Sequence, residues 1–345
     1  MDWEILRGRL RLTARGAEIT LLTAKEIFEL VRDDLVRVEQ EISAQGGSGI
    51  APAAEISTYL LGGGGKRLRP ALLLLSARLC GARTDGAIRL GAVVEMIHTA
   101  TLIHDDVIDG ADTRRGRPSA NVRWGNHMSV LAGDWLYMQS FQLALHERNF
   151  RILDILIDLT QNMVEGELIQ FSKLGRIDLT EEEVLELAYR KTACLFSGCM
   201  ELGAVLGRQE EHVQRLLADY GRFAGLAFQL VDDLLDFTAS PKQLGKPVLS
   251  DLKEGKVTLP LIYALESADA SGRRLVATVL EEKGFHSVRP EEISALVRES
   301  GALDRTRRLA NEYATRAKSC VNGTGDPEYR RALLAVPDFI LERES

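Results

Sequence analysis

The chain has 345 residues, enough for two average domains or one large one. Its 45% hydrophobic content is that of a globular protein, and 27% charged residues with only 6% aromatic ones favour helices over a sandwich or barrel of short strands. A net charge of −7 excludes a general nucleic-acid binder, so any basic site must be local.

Four cysteines, Cys80, Cys194, Cys199 and Cys320, are too sparse and irregular for a disulfide framework or zinc knuckle, which points to a reducing cytoplasm. No run of 18 apolar residues is free of charge, so no membrane span is expected. Residues 1–22 mix Arg7, Arg9, Arg11 and Arg15 with Asp2, Glu4 and Glu18 and lack the apolar core of a signal peptide. They read as a poorly ordered extension ahead of a single all-α domain over 23–345.

Thr23 and Glu26 form a capping box, after which Ile27, Val31, Leu35, Val38 and Ile42 predict one helix ending at Gly46-Gly47. Further on, Gly62 to Gly65 feed the cations Lys66, Arg67 and Arg69. Leu90 to Ile108 is nearly apolar until it turns acidic at Asp105, Asp106 and Asp109. A polar loop, Asp112 to Pro118, carries Arg114, Arg115 and Arg117. Thr180 with Glu183 opens another helix towards Lys191 and Thr192, where an apolar run begins. Phe223 to Phe237 repeats the earlier pattern, apolar except for Asp232, Asp233 and Asp236. Ser240 to Lys256 is again a polar loop, with Lys246 and Lys256 each following a glycine. Pro290 begins a helix that Gly301 terminates. Strand-like alternation is absent, so the expected fold is all-α with more than ten helices.

In each aspartate triplet the first and last members are four apart and share a helix face, with the middle one rotated away. Like charges at that spacing repel, and carboxylates beside an apolar interior need a cation. Oxygen donors suit a hard ion such as Mg²⁺, which binds one or two carboxylates, waters and substrate phosphates. A solvated acidic face would explain one triplet, but two copies ending two long apolar helices weigh against it. Zinc is a poor fit, since His98 and His104 are six apart and no cysteine accompanies them. The glycine run is not a nucleotide loop, because Leu60 and Arg67 stand where glycine and Ser or Thr belong. Glycines nonetheless let backbone approach an anion, and arginine offers a fork for phosphate. Gln229 shares the face of Asp232. Two carboxylate patches and separate cation sets are parts enough to hold two diphosphates.

Read in order, Gly-Gly-Lys-Arg-Leu-Arg-Pro, His-Thr-Ala-Thr-Leu-Ile-His-Asp-Asp-Val-Ile-Asp, Arg-Arg-Gly, Lys-Thr, Phe-Gln-Leu-Val-Asp-Asp-Leu-Leu-Asp and Gly-Lys-Pro with Asp-Leu-Lys-Glu-Gly-Lys resemble the all-trans polyprenyl diphosphate synthases, from about residue 23 to about 340. The resemblance implies an isoprenoid-synthase-type helical bundle around a deep central cavity, a homodimer, and peripheral membrane contact for product release. It implies Mg²⁺ ions, three with bound diphosphate, held by Asp105, Asp109 and Asp232, with Asp236 acting through water and Asp106 and Asp233 behind them. Arg114, Lys191, Thr192, Gln229, Lys246 and Lys256 would contact the allylic diphosphate, and Lys66, Arg69, His98 and Arg115 would hold isopentenyl diphosphate. Asp105, Asp109, Lys191, Asp232 and Lys246 would be the catalytic set. Lys66 and Arg69 are the pair such proteins use, so Arg67 receives no role.

In such enzymes bulky aromatics four or five places before the first aspartate block the product tunnel. Here those places hold Thr101 and Ala100, with Ile97, Val94 and Val93 further along and Leu153 and Ile157 as candidates for the floor. At 1.5 Å per residue Val94 lies about 16 Å from Asp105, room for more than a C20 tail. The expected product is therefore long, near C40. The competing readings are a C15 to C20 synthase, a cyclase or head-to-head synthase, a non-catalytic subunit, and a helical scaffold without ligand. The second Asp-Asp-x-x-Asp speaks against a cyclase, and the presence of both triplets against a non-catalytic subunit.

Overall fold

The structure is a computed structural model that describes residues 11–14, 17–20, 22–45, 51–62, 65–114, 116–238 and 248–344. Arg115, Lys246 and residues 1–10, 15–16 and 21 of the extension expected to be poorly ordered lie outside the described residues. The protein is all-α, with more than ten helices among the described residues. Two short antiparallel hairpins were not foreseen: Arg11–Ala14 pairs with Ala17–Thr20, and Thr113–Arg114 pairs with Arg117–Pro118. Strands this short are set by the turn rather than by alternation, and Gly116 supplies the positive φ, +73°, that the second turn needs.

The described chain gathers in two compact units. One comprises the described residues within 1–160, 195–221 and 318–339, the other those within 161–194, 222–317 and 340–344. The first unit is built on helix Asp85–Ile108, against which helices Arg32–Gln45, Leu68–Leu79 and Asn126–Ala144 pack. Leu72 to Leu75, Val93, Val94, Met96 and Ile97 are fully buried there. Gly133 faces the His104 ring, whose Nε2 would be 2.2 Å from a Cβ, so the two long helices approach closely at that point. Helix Asp85–Ile108 alone among the described residues is long and apolar enough to cross a membrane, and 72% of its most apolar window is buried inside the protein. It is the core helix of this unit.

The single helix predicted after Thr23 is instead two, Ala24–Glu29 and Arg32–Gln45. Val31 N donates to Phe28 O at 3.2 Å, a tighter i to i−3 turn between the two helices. Ile27, Val31, Val38 and Ile42 of the expected face are buried, with Phe28 beside them. Both capping boxes are present, with Glu26 N donating to Thr23 Oγ1 and Glu183 N to Thr180 Oγ1. Helix Pro290–Glu299 starts on its proline and is followed by Gly301 at φ +73°.

In the second unit, helix Glu181–Ala188 passes through a π-helical turn, Tyr189–Ala193. Ala188, Ala193 and Leu226 form a small core there, flanked by Tyr189 and Tyr313. The apolar segment Phe223 to Phe237 is the second half of a 28-residue helix, Glu211–Thr238. After residues 239–247, the loop expected to reach Lys256 contains a short helix, Ser250–Lys253.

Candidate active site

The first triplet ends helix Asp85–Ile108. Asp105 lies in its last turn and is half-buried, and Asp109 caps it and is exposed. Asp106 is rotated inward, 2% exposed, and accepts from Arg114 Nε at 2.9 Å and from Nη2. Burial pushes the Asp106 carboxyl up against the pull of Arg114. The hairpin Thr113–Pro118 thus brings Arg114 back onto the middle aspartate, which accounts for its place behind the other two.

In the same unit the glycine run leads into helix Leu68–Leu79. Arg69 Nη1 lies 3.1 Å from His98 Nε2, and its guanidinium is 5.3 Å from the Phe196 ring centroid. Two of the residues expected to hold isopentenyl diphosphate are therefore together, and Lys66, exposed, lies three residues before Arg69. Ala100 and Ile97 are wholly buried, and Thr101 is half-buried with its hydroxyl donating to His98 O.

In the second unit a cavity of about 220 Å³ is lined by Gln170, Lys173, Lys191, Gln229, Asp233, Asp251 and Lys256. Lys191 Nζ reaches Glu167 Oε1 at 2.7 Å and Gln170 Oε1 at 2.9 Å, and Lys256 Nζ reaches Glu254 Oε2 at 2.7 Å. A hydrogen-bond chain runs across the wall: Thr192 Oγ1 donates to Gln229 Oε1 at 2.7 Å, and Gln229 Nε2 to Asp233 Oδ1 at 2.9 Å. Thr192 and Gln229, expected to touch diphosphate, here bind each other and the acidic triplet. The π-helical turn sets Lys191 at the cavity and Thr192 against Gln229 of its wall, and such turns recur at functional sites.

Asp236, expected to reach metal through water, has a different placement. It is 1% exposed, and its Oδ1 accepts from Ser250 N at 3.2 Å and Ser250 Oγ at 3.1 Å while Oδ2 accepts from Asp251 N at 3.3 Å. It ties the segment after the triplet back onto its own helix. Asp232 meets Arg343 Nη2 at 3.0 Å, and that guanidinium lies 4.4 Å from the Phe228 ring centroid one turn earlier. Glu167, Gln170, Lys173, Asp251 and Arg343 were not anticipated. The one signal for the first three is their spacing at i, i+3 and i+6 near the end of helix Phe150–Lys173.

Among the described residues no three His, Cys, Asp or Glu side chains form a closed metal cage. The donor set nevertheless fits a hard divalent ion that keeps waters and takes substrate phosphate as ligand. Burial, Asp251, Asp232 and Asp236 push the Asp233 carboxyl up to about 8, against the hydrogen bond from Gln229. A cation entering the patch would relieve that repulsion.

A pH dependence follows. The raised pKa contributes stability that is fully present below the unfolded value of 3.8 and is lost as pH rises through about 8. Calorimetry in chelator should show the melting temperature falling between pH 4 and pH 8, with Asp233→Asn and added Mg²⁺ each flattening the slope; equal slopes in all three would contradict it.

The sequence profile of the polyprenyl synthetase family matches residues 51–297. An octaprenyl diphosphate synthase from Haemophilus influenzae is 37% identical over 323 residues, 94% of this chain and 98% of that protein. The chain belongs to the polyprenyl synthetase family. Its membership makes it a prenyltransferase of isoprenoid biosynthesis. Among solved structures of similar fold, a polyprenyl synthase from Caulobacter crescentus CB15, in complex with calcium and isoprenyl diphosphate, has a TM-score of 0.88 at 35% identity, covering 94% of this chain and 98% of that one. A decaprenyl diphosphate synthase from Rhodobacter capsulatus has a TM-score of 0.88 at 37% identity, covering 93% and 99%.

Proposed function

We propose that the enzyme elongates an allylic diphosphate with isopentenyl diphosphate in successive head-to-tail steps to a trans product near C40. The observation that carries this reading is the cavity in which Lys191 and Lys256 stand against Gln229 and Asp233. Paired ammonium groups beside carboxylates suit a diphosphate held together with a divalent ion. The near-full-length likeness to octaprenyl and decaprenyl synthases supports the long chain.

In this reading Lys191, Lys256, Lys246 and Arg114 hold the allylic diphosphate, with Thr192 and Gln229 orienting it. Lys66, Arg69, His98 and Arg115 hold isopentenyl diphosphate. Asp105, Asp109 and Asp232 hold Mg²⁺, three ions with bound diphosphate, and Asp236 organises the loop behind them. When bound, the metal supplies positive charge to the departing pyrophosphate. The fixed cations add to that charge in a dry site, so the allylic C–O bond breaks towards a carbocation. The isopentenyl double bond attacks the cation, and the pyrophosphate takes the proton that leaves. No protein nucleophile is needed.

A homodimer is part of the proposal. Leu131, Met138 and Leu145 are exposed at seven-residue intervals, as are Phe150, Ile157, Val164 and Phe171, and Phe150 is 84% exposed. Stripes of this kind cover one another in paired helices. Ile157 thereby belongs to this face and not to a tunnel floor, and sedimentation velocity of the purified chain would read the dimer. The enzyme works in the cytoplasm, where its four free thiols persist, with peripheral membrane contact as the long product leaves.

The test is incubation with labelled isopentenyl diphosphate, farnesyl diphosphate and Mg²⁺, followed by dephosphorylation and chromatography. A C40 product is expected, and no incorporation would sink the reading. Ala100→Phe should shift products to C15 or C20. A lowered melting temperature with unchanged chain length would instead make Ala100 a packing position only.

A further inference from the structure

Arg67 stands between Lys66 and Arg69 and has no role in the reaction described above. Its backbone is left-handed, φ 48° and ψ 34°, where it starts helix Leu68–Leu79. That conformation is unfavourable for a non-glycine residue, so the surroundings must hold it.

The side chain supplies the hold. Its Nε and Nη2 form a fork on the Glu39 carboxylate, with Nη2 3.0 Å from Oε2, and its Nη1 donates to Glu95 Oε1 at 2.5 Å. Nη2 also reaches Leu61 O at 3.4 Å, just ahead of the glycine run. Glu39 comes from helix Arg32–Gln45 and Glu95 from helix Asp85–Ile108, so one guanidinium ties the start of helix Leu68–Leu79 to two other helices. The Arg67 side chain is 9% exposed and Glu95 3%. The Glu39 side chain is 43% exposed, so the buried part of the network is the Arg67–Glu95 pair; a buried ion pair is often no more stabilising than apolar residues of like volume, and here it points to position. Glu95 precedes His98 by three residues and shares its helix face, and His98 meets Arg69. The clamp is thus anchored one helical turn from the His98–Arg69 contact.

We propose that Arg67, gripped by Glu39 and Glu95, is the positioning residue that sets the backbone between Lys66 and Arg69 and so determines affinity for isopentenyl diphosphate. This rests on the assignment of Lys66, Arg69 and His98 to that substrate. It separates Arg67 from its neighbours: they touch the diphosphate, whereas it places them.

Arg67→Gly permits the same φ and removes the grip. It should raise KM for isopentenyl diphosphate about ten- to a hundredfold, since a displacement near 1 Å can cost that much. KM for the allylic diphosphate and kcat should stay within about twofold, because only one substrate's site is displaced. Titration calorimetry with isopentenyl diphosphate alone should show the same loss of binding. Arg67→Lys keeps the charge without the fork and should rescue only part of it. Glu95→Gln loosens the grip from the other side and carries the test if Arg67→Gly does not fold. A residue needed for stability alone would lower the melting temperature and the active fraction and leave both KM values unchanged, and that result overturns the proposal. Lys66→Ala separates the two levels. If it leaves KM for isopentenyl diphosphate unchanged, the site assignment falls, whereas if it raises KM and the Arg67 and Glu95 variants do not, the clamp falls.

Discussion

Replacing Asp105 or Asp232 with asparagine is expected to lower kcat by about 10²- to 10³-fold, the scale seen when one group that stabilises developing charge is removed. Asp105 occupies the last turn of its helix, and Asp232 lies on the face of Phe228 and Gln229, where Arg343 already meets it. Neither is a packing residue, so the folded fraction should hold while the Mg²⁺ needed for half-maximal rate rises. Steady-state kinetics against Mg²⁺, with melting temperatures alongside, checks both halves, and a variant that keeps wild-type Mg²⁺ dependence removes that aspartate from the metal set. Asp236→Ala should behave differently. Its carboxylate accepts from Ser250 and Asp251, so its loss should first raise hydrogen exchange in Ser250–Lys256 and weaken binding of the allylic diphosphate.

Gly221→Ala should be strongly destabilising. A Cβ at Gly221 would stand 2.4 Å from Phe196 O, 2.6 Å from Phe196 C and 2.6 Å from Ser197 Cα. All three are backbone atoms, so no rotamer change relieves the clash and helix Glu211–Thr238 must move from helix Cys194–Leu206. Overpacking of this kind costs about 1–3 kcal/mol or more. Chemical denaturation reads it, and a variant as stable as the wild type would show that the two helices separate freely at this crossing. Nothing in the spacing of Gly221 along the chain marks it out.

The features legible in the sequence are those that local geometry settles. Thr23 with Glu26 and Thr180 with Glu183 are caps formed within four residues, and helical periodicity alone places Asp105 and Asp109 on one face with Asp106 rotated away from it. The ordered motifs led to the family, and the comparisons agree. What stayed hidden depends on partners distant in sequence or on backbone phase. The turn at Val31 and the π-helical turn at Tyr189–Ala193 interrupt regular α-helix without any change in composition.

Arg67 shows the division most plainly. Its chemistry was evident from Gly-Gly-Lys-Arg-Leu-Arg-Pro: a cation among cations beside flexible backbone. Only the folded chain decides that it meets Glu39 and Glu95, each 28 residues away in opposite directions, while Arg69 two residues on meets His98. In the same way Asp236 is one of three like aspartates until Ser250 and Asp251 arrive fourteen and fifteen residues later. The sequence by itself determined which residues carry charge and which share a helix face, because both follow from a 3.6-residue period. Tertiary structure decided which partner each of those charges meets, because a buried charge takes whatever partner packing brings to it.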